Sequence, residues 1–190
     1  PRCSKRAKSP RRPYDKQRLI NEMKYVGTYG LSSKRELRVI EKKTQDIKTR
    51  AKDLLIHTDE NHQIVQGRAL LRRLEKQGVI KNINYTSKKA IINNLEKVLD
   101  LEINALLSRR LQSVVAAHGL AKSVHEARVM ITHKHIAIGG AIVDKPGYMV
   151  RADSEGTIEL APNSSLAGYK LGRSARKNSK NKKSEEGEDE

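Results

Sequence analysis

Between residues 109 and 135, basic and small polar residues alternate with short apolar runs. The polar members of this stretch are Arg109, Arg110, Gln112, Ser113, Lys122, Ser123, His125, Arg128, His133, Lys134 and His135. Guanidinium forks and ammonium groups suit phosphate oxygens and 2′-hydroxyl groups. If the elements that carry them pack as a hairpin, these side chains form one cationic, donor-rich surface. The chemistry that this surface predicts is recognition of an RNA backbone.

Two helices are predicted to position these side chains. The apolar residues of the first recur at i, i+4, i+7 and i+8, as Leu107, Leu111, Val114 and Val115. Gly119 follows, where a left-handed residue ends a helix without a Cβ penalty. The second helix begins at Ser123, because Ser123-Val-His-Glu126 fits a capping box. Its buried stripe is predicted to be Ala127, Met130 and Ile131.

A small antiparallel sheet is predicted after the second helix. Ile136-Ala-Ile138 and Ala141-Ile-Val143 flank Gly139-Gly140, which tolerates the positive φ angles of a tight hairpin turn. Pro146-Gly147 turns the chain again, and Thr157-Ile-Glu-Leu160 is predicted as another strand. The sheet would cover one side of the two helices.

Four more helices are predicted upstream. The first begins at Pro13, which suits the first helical position, and its apolar face is Leu19, Met23 and Val26. The second begins with a capping box, Ser33-Lys-Arg-Glu36. It is the longest, and its apolar positions are Leu37, Ile40, Thr44, Ile47, Ala51 and Leu54. The third ends near Gly78, and the fourth is capped by Thr86-Ser87.

Further cations outside the two-helix stretch are candidates for RNA contact. The basic face of the longest helix fits a solvated surface, bound RNA or a neighbouring subunit. Residues 1–12 contain no acid, which fits a disordered tail, a nuclear import signal or an arm that orders on RNA. The additional candidate RNA-binding residues are Lys34, Arg35, Arg68, Arg72, Arg73, Lys145, Arg2, Arg11 and Arg12.

The overall composition favours a polyanionic partner. The 190 residues include 39 Lys and Arg, and the formal net charge is +17. Such a balance indicates nucleic acid or an anionic membrane, and no apolar run approaches the roughly 20 residues of a spanning helix. The chain has no Trp or Phe and only six Tyr, so stacking platforms for bases are few. We therefore expect recognition of folded RNA by its shape and backbone, with no membrane partner and no signal peptide.

The sequence offers little support for catalysis or metal binding. Cys3 is the only cysteine, so neither an internal disulfide nor a Cys-x-x-Cys zinc site can form. The histidines His118, His125, His133 and His135 lack a cysteine or well-placed carboxylate to complete a tetrahedral set. No Gly-x-Ser-x-Gly elbow and no phosphate-binding glycine loop is present. We expect no metal, no cofactor, no small-molecule substrate and no enzymatic activity.

Several short motifs resemble a known family. Arg-Arg-Leu-Gln from Arg109, Gly-Leu-Ala-Lys-Ser from Gly119, His-Glu-Ala-Arg from His125 and His-Ile-x-Ile from His135 are similar to the RNA-binding module named after ribosomal protein S four. Upstream, the resemblance is to the eukaryotic and archaeal form of that family, the small-subunit protein S nine of eukaryotes. It is carried by Tyr29-Gly-Leu31, Lys34-Arg-Glu36, Gly67, Ala69-Leu-Leu-Arg-Arg-Leu74 and Gly78-Val-Ile80, so that it covers residues 13–160.

The resemblance implies a role in the ribosome. Members of this family are structural constituents of the small subunit that bind the 5′ domain of its ribosomal RNA early in assembly. They lie near the point where messenger RNA enters, beside the universal proteins of the S three and S five families, and they influence decoding accuracy. The implied location is the cytoplasmic ribosome, with assembly in the nucleolus if the source is eukaryotic.

We therefore predict an α+β fold, in which a helical N-terminal domain precedes a two-helix hairpin packed on a short, mainly antiparallel sheet, with extended basic tails. The predicted parts are a basic arm (1–12), a helical domain (13–105), the RNA-binding module (106–160) and a basic then acidic tail (161–190). Two alternatives stay open. One is an RNA-modifying or tRNA-charging enzyme with the module appended, although no catalytic motif precedes it. The other is a free RNA chaperone of the heat-shock type.

Overall fold

The computed structural model describes residues 7, 9–81, 83–85 and 87–166. Its helices are α1 (Lys16–Tyr29), α2 (Lys34–Ile56), α3 (Glu60–Lys76), α4 (Lys88–Leu99), α5 (Ile103–Ser108), α6 (Leu111–Ala117) and α7 (Val124–Thr132). The strands are β1 (Ile136–Ile138), β2 (Ala141–Ile142) and β3 (Ile158–Leu160), and a 3₁₀ helix spans Ala152–Thr157. The predicted α+β class is confirmed. The predictions for Arg2, Cys3, Thr86 and residues 167–190 lie outside the described residues.

Three apolar clusters hold these elements together. One joins α2, α3 and α4 through Ala51, Leu70, Leu71, Leu74, Ile91, Leu95 and Val98. The second joins α2 and α5 through Leu31, Leu37, Ile40, Leu106 and Leu107. The third fills the module with Leu111, Val114, Val115, Ala127, Met130, Ile131, Ile136 and Val150. Because Leu106 and Leu107 pack against α2, the module adjoins the upstream helices directly, and the predicted boundary at residue 105 stays a prediction.

The sheet forms as the glycine pair indicated. β1 lies between β2 and β3 and pairs with both in antiparallel register. Gly139 and Gly140 connect β1 to β2 with φ angles of 55° and 80°, the pair of positive angles that a two-residue hairpin turn of this hand requires. Ile136 and Ala137 are fully buried, and Ile136 packs in the same cluster as residues of α6 and α7.

The first helix differs from its prediction in both its start and its face. Asp15, not a residue before Pro13, caps α1 by accepting a hydrogen bond from the Gln17 amide at 3.2 Å. Met23 is 67% exposed, whereas Glu22 is buried. The predicted face of Leu19, Met23 and Val26 is therefore wrong at its centre. A charged side chain can occupy the inward position because Arg18, 3.1 Å from the Glu22 carboxylate, neutralises it.

The first helix of the predicted hairpin is interrupted. α5 ends at Ser108 and α6 begins at Leu111, with Arg110 in an extended conformation (ψ 143°). At this break, the backbone bonds to a later segment of the chain. The Leu111 amide donates to the Tyr148 carbonyl at 2.7 Å, and the Val150 amide donates to the Arg109 carbonyl at 3.0 Å. The continuous apolar spacing was compatible with one helix, but this tertiary pairing replaces part of its hydrogen-bond ladder. None of the helices among the described residues is both long and apolar enough to span a bilayer.

Candidate nucleic-acid interface

The Glu36 carboxylate, on the first turn of α2, joins the upstream helices to the module. Arg128 donates to it from both guanidinium ends, at 2.6 and 3.2 Å, and Arg110 donates at 3.0 Å. Ser32 Oγ donates at 3.0 Å. Partial burial by itself would raise the pKa of Glu36, but the hydrogen bonds from Arg128, Arg110 and Ser32 lower it to about 2. We refer to Glu36, Arg110 and Arg128 as the Glu36 cluster.

The predicted capping box at Ser33 is wrong in both of its hydrogen bonds. The Ser33 hydroxyl makes no cap, since the Glu36 amide donates to the Ser33 carbonyl at 3.1 Å, and the Glu36 carboxylate bonds to Arg110 and Arg128. The second box is present in modified form. Ser123 Oγ accepts from the Glu126 amide at 3.2 Å, while the Glu126 carboxylate accepts from the Lys122 amide at 2.6 Å.

Gln112 lies beside the Glu36 cluster and is fully buried. Its Nε2 donates to the carbonyls of Gly30 and Val124, both at 2.8 Å, and its Oε1 accepts from Arg128 at 3.3 Å. Arg110 is only 2% exposed. The prediction that Arg110 and Gln112 leave the apolar face is therefore wrong: both point inward, where Arg110 Nη2 and Gln112 Nε2 bond to partners more than 70 residues earlier in the chain.

Arg109 and Ser113 also bond within the protein. Arg109 donates to the Gln77 carbonyl at 2.9 Å, to Glu155 at 2.8 Å and to the Val150 carbonyl at 3.3 Å. The hydrogen bond from Arg109 lowers the pKa of the Glu155 carboxyl. Ser113 Oγ donates to the Leu107 carbonyl at 2.9 Å. Four of the predicted site residues, Arg109, Arg110, Gln112 and Arg128, thus connect the module to the upstream helices.

The second helix of the module keeps its predicted polar surface except at Arg128, which bonds to Glu36. Lys122, Ser123, His125, His133 and Lys134 are exposed. They flank or belong to α7, whose nine residues span about 13 Å, so Lys122 and Lys134 lie at opposite ends. His135 is half-buried and bonds to Ser164 Oγ at 2.8 Å, while Lys145 is exposed in the turn after β2. We refer to the exposed residues Lys122, Ser123, His125, His133 and Lys134 as the α7 surface.

The upstream candidates occupy other places. Lys34 lies 3.4 Å from the buried Glu22, and Arg35, Arg11 and Arg12 are exposed. On α3, Arg68 donates to the Tyr85 carbonyl at 3.4 Å, and the Arg72 guanidinium lies 5.8 Å from the centre of the Tyr85 ring. Arg68, Arg72 and Arg73 are all exposed, so they can meet a ligand outside the protein.

A groove between α2 and α3 gathers cations from three elements. Three adjoining depressions share Arg73, and one of them reaches the 3₁₀ helix through Arg151. The exposed cations that line them are Lys43, Arg50, Arg72, Arg73, Lys76 and Arg151. The acids that line them are Asp46 and Asp53. We refer to this set as the α2–α3 groove.

The cations of the α2–α3 groove have little internal neutralisation. Among the residues that the structure describes, no carboxylate lies within 4 Å of Lys43, Arg50, Arg73, Lys76 or Arg151. The predicted site residues did not include Lys43, Arg50, Lys76 or Arg151, although Lys43 and Arg50 lie on the basic face of the longest helix. Lys76 could have been found, since it follows Arg72 and Arg73 at i+4 and i+3 on one helix, but Arg151 reaches the groove only through the tertiary fold.

The histidines do not gather into a metal site. The rings of His133 and His135 lie 6.3 Å apart. Within the described ranges, no group of three or more His, Cys, Asp or Glu side chains is placed to hold a metal ion.

Residues 109–155 match the family model of the S4 domain. The matched segment begins and ends with the two partners of one ion pair, Arg109 and Glu155, and it contains α6, α7, β1 and β2. The chain therefore carries an S4 domain, and the predicted resemblance to that module is confirmed. The match supports RNA as a partner of this chain.

Proposed function

We propose that this chain is a structural, non-catalytic constituent of the small ribosomal subunit, related to the S four family in its eukaryotic and archaeal form. It binds the 5′ domain of small-subunit ribosomal RNA near the point where messenger RNA enters. Its protein neighbours are members of the S three and S five families, and its place is the cytoplasmic ribosome. The S4 domain at residues 109–155 supports RNA binding, and the upstream motifs from Tyr29 to Ile80 support the ribosomal assignment.

The observation that carries this proposal is the division of cations into two classes. Arg109, Arg110 and Arg128 are neutralised inside the protein by Glu155 and Glu36. The cations of the α7 surface and the α2–α3 groove stay exposed. Three arginines are thus neutralised within the protein, while the exposed cations of both surfaces can bind a ligand. This distribution suits a large polyanion that extends beyond any single pocket.

The mechanism is bridging of RNA segments that repel each other. The Glu36 cluster and Gln112 hold α7 against the start of α2, so the two basic surfaces keep a constant separation. Each phosphate that meets a Lys or Arg releases counterions, which steepens the salt dependence of binding by roughly 0.7 to 0.9 log units per contact. Because the major groove of A-form RNA is too narrow for side chains, shape and backbone decide which double-helical RNA is bound.

Sedimentation of a lysate that contains the tagged chain tests the ribosomal role. We expect the tagged chain to sediment in a stoichiometric peak with small subunits. The chain should leave this peak when magnesium is removed and high salt strips proteins from the subunits. A purely free pool of the chain would contradict the ribosomal assignment and favour a free RNA chaperone.

A second experiment tests the proposal that the chain does not catalyse a reaction on small-subunit ribosomal RNA. Incubation of the purified chain with small-subunit ribosomal RNA and the usual methyl and nucleotide cofactors is expected to leave every nucleoside unchanged by mass spectrometry. Any new modified nucleoside that depends on the chain would refute the non-catalytic proposal.

A further inference from the structure

Part of the α2–α3 groove is a defined pocket with an apolar interior. It has a volume of about 180 Å³, and its walls include Ile47, Leu74, Leu106 and Met149. Leu74 and Leu106 belong to the buried clusters, whereas Ile47 and Met149 are half-buried and present apolar surface to the opening. A flat apolar ring of moderate size would replace water in this space at a favourable free energy.

The rim of the pocket is charged and mainly basic. Lys43 and Arg50 come from α2, Arg73 comes from α3, and Asp46 is the one acid that lines it. All four side chains are exposed. Arg50 and Arg73 line the pocket from two different helices, and guanidinium groups suit an anion at its mouth.

We propose that this pocket binds one unstacked ribonucleotide of the RNA. The inference rests on the proposed RNA-binding function and deepens it by assigning a ligand to this part of the groove. The base lies against the apolar wall, where the Met149 thioether suits a ring edge or face, and the phosphate lies between Arg50, Arg73 and Lys43. Unstacked bases in loops and bulges are the parts of RNA that proteins read by contact.

Asp46 gives the pocket a preference among bases. A carboxylate accepts hydrogen bonds and offers none, so it favours a base edge with adjacent N–H donors. Guanine presents two such donors, its ring N1–H and its exocyclic amine, on one edge. Guanylate is therefore the nucleotide that fits best.

The test is a titration of the full chain, followed by NMR, with the four ribonucleoside 5′-monophosphates, inorganic phosphate and guanosine. GMP is expected to bind more tightly than either phosphate or guanosine alone, and to shift signals of Met149 and Ile47. Arg73→Ala and Arg50→Ala are each expected to weaken GMP binding about tenfold, the loss of one charge-assisted contact. Asp46→Asn is expected to reduce the preference for GMP over the other three nucleotides.

Lys97→Ala is the control for the loss of one positive charge, since Lys97 is exposed on α4 and lines none of the three depressions. Equal losses from Lys97→Ala and Arg73→Ala would show that only net charge matters and would overturn the proposal. Equal affinities for phosphate and GMP, or tighter binding of an acidic peptide such as a glutamate oligomer, would also overturn it.

Binding of small-subunit ribosomal RNA by the same proteins separates this proposal from the proposed function. RNA that binds without displacing GMP refutes the nucleotide pocket and leaves RNA binding intact. Failure of the unaltered chain to bind this RNA refutes the RNA-binding proposal itself, whatever GMP does.

Discussion

A single carboxylate determines how two arginines of the module are used. Arg110 is buried, and its Nε has no hydrogen-bond partner in the described structure. Its stabilisation therefore depends on the ion pair from Nη2 to Glu36 at 3.0 Å. A buried cation that loses its partner is costly, because the desolvation penalty stays while the attraction is lost. Glu36 therefore stabilises the fold, although its partners Arg110 and Arg128 were predicted to bind RNA.

Glu36→Gln is expected to destabilise the folded chain by about 3 kcal/mol at pH 7, the lower part of the range for breaking a buried pair. The pKa of Glu36 lies at about 2 in the folded chain, below its ordinary value of 4.5. The unfolded chain therefore binds this proton first as pH falls. The stabilisation is complete above about pH 4.5 and is lost towards pH 2. Urea unfolding at pH 7 and pH 3 should show a smaller difference between the variant and the unaltered chain at pH 3.

Glu41→Gln is the control for this prediction, since Glu41 lies on the same helix in a different setting. Partial burial, and then the charge of Glu22, raise the pKa of the Glu41 carboxyl. Its charged form is therefore disfavoured by folding, and replacing it should change stability by no more than about 0.5 kcal/mol at pH 7. Equal destabilisation by both substitutions would show that the Glu36 cluster is not a special support.

At the scale of the elements, the C-terminal end of α1 joins the upstream helices to the module. Gly30 caps α1 with a φ angle of 58°, and its carbonyl accepts a hydrogen bond from the buried Gln112 side-chain amide. A Cβ atom at Gly30 would lie 2.7 Å from Gln112 Nε2 and 3.1 Å from a methyl group of Val124. The end of α1 is thus in close contact with both α6 and α7.

Gly30→Ala is expected to cost about 2 kcal/mol or more, from left-handed strain together with the crowding of a buried side chain. Gly119→Ala is the matched substitution, because Gly119 has a φ angle of 73° but no atom within 4 Å of its added Cβ. It should cost only the conformational strain, about 1 kcal/mol. Thermal unfolding of both variants measures the difference, and equal melting temperatures would contradict the close approach.

Local sequence patterns predicted an element well where the element forms from its own apolar face or its own turn residues. The heptad-like spacing of α2 predicted the buried Leu37, Ile40 and Ala51, and Gly139-Gly140 predicted the hairpin. The break between α5 and α6 escaped prediction because its cause is backbone pairing with Tyr148 and Val150, almost 40 residues later. Apolar periodicity reports which residues are buried and carries no information on such a partner.

The candidate site was harder to predict than the fold for a related reason. Arginine is mostly exposed in proteins unless it is paired, so Arg110 was assigned to a surface. Its partner Glu36 is 74 residues away in the chain, and no local pattern connects the two. The same limit hid Arg151, which joins the α2–α3 groove only after the module folds. Exposed cations on a regular helix, such as Arg72 and Arg73, were within reach of sequence reasoning.

For the whole molecule, the distribution of charge separates support from recognition. The Arg109 and Glu36 contacts bind the module to the upstream helices, so the α7 surface and the α2–α3 groove belong to one body. An RNA that contacts both surfaces is bound at two positions whose separation is fixed by the protein. The second contact therefore costs less entropy than it would as a separate binding event. Removing cations from both surfaces should therefore lower the salt dependence of binding more than removing them from either one.

The triple substitution of Arg50, Arg73 and Lys76 by Ala is expected to lower the slope of log affinity against log salt by roughly 2, since each lost phosphate contact removes about 0.7 to 0.9. The pair Lys122→Ala and Lys134→Ala should lower it further when combined with the triple, because the two sets meet different phosphates. The pair Lys89→Ala and Lys97→Ala on α4 is the control, as both lysines are exposed and line neither surface. Filter binding of small-subunit ribosomal RNA across a range of salt concentrations measures each slope. An equal loss per charge in the α4 pair would mean that the RNA responds to the net charge of +17 and not to these two surfaces.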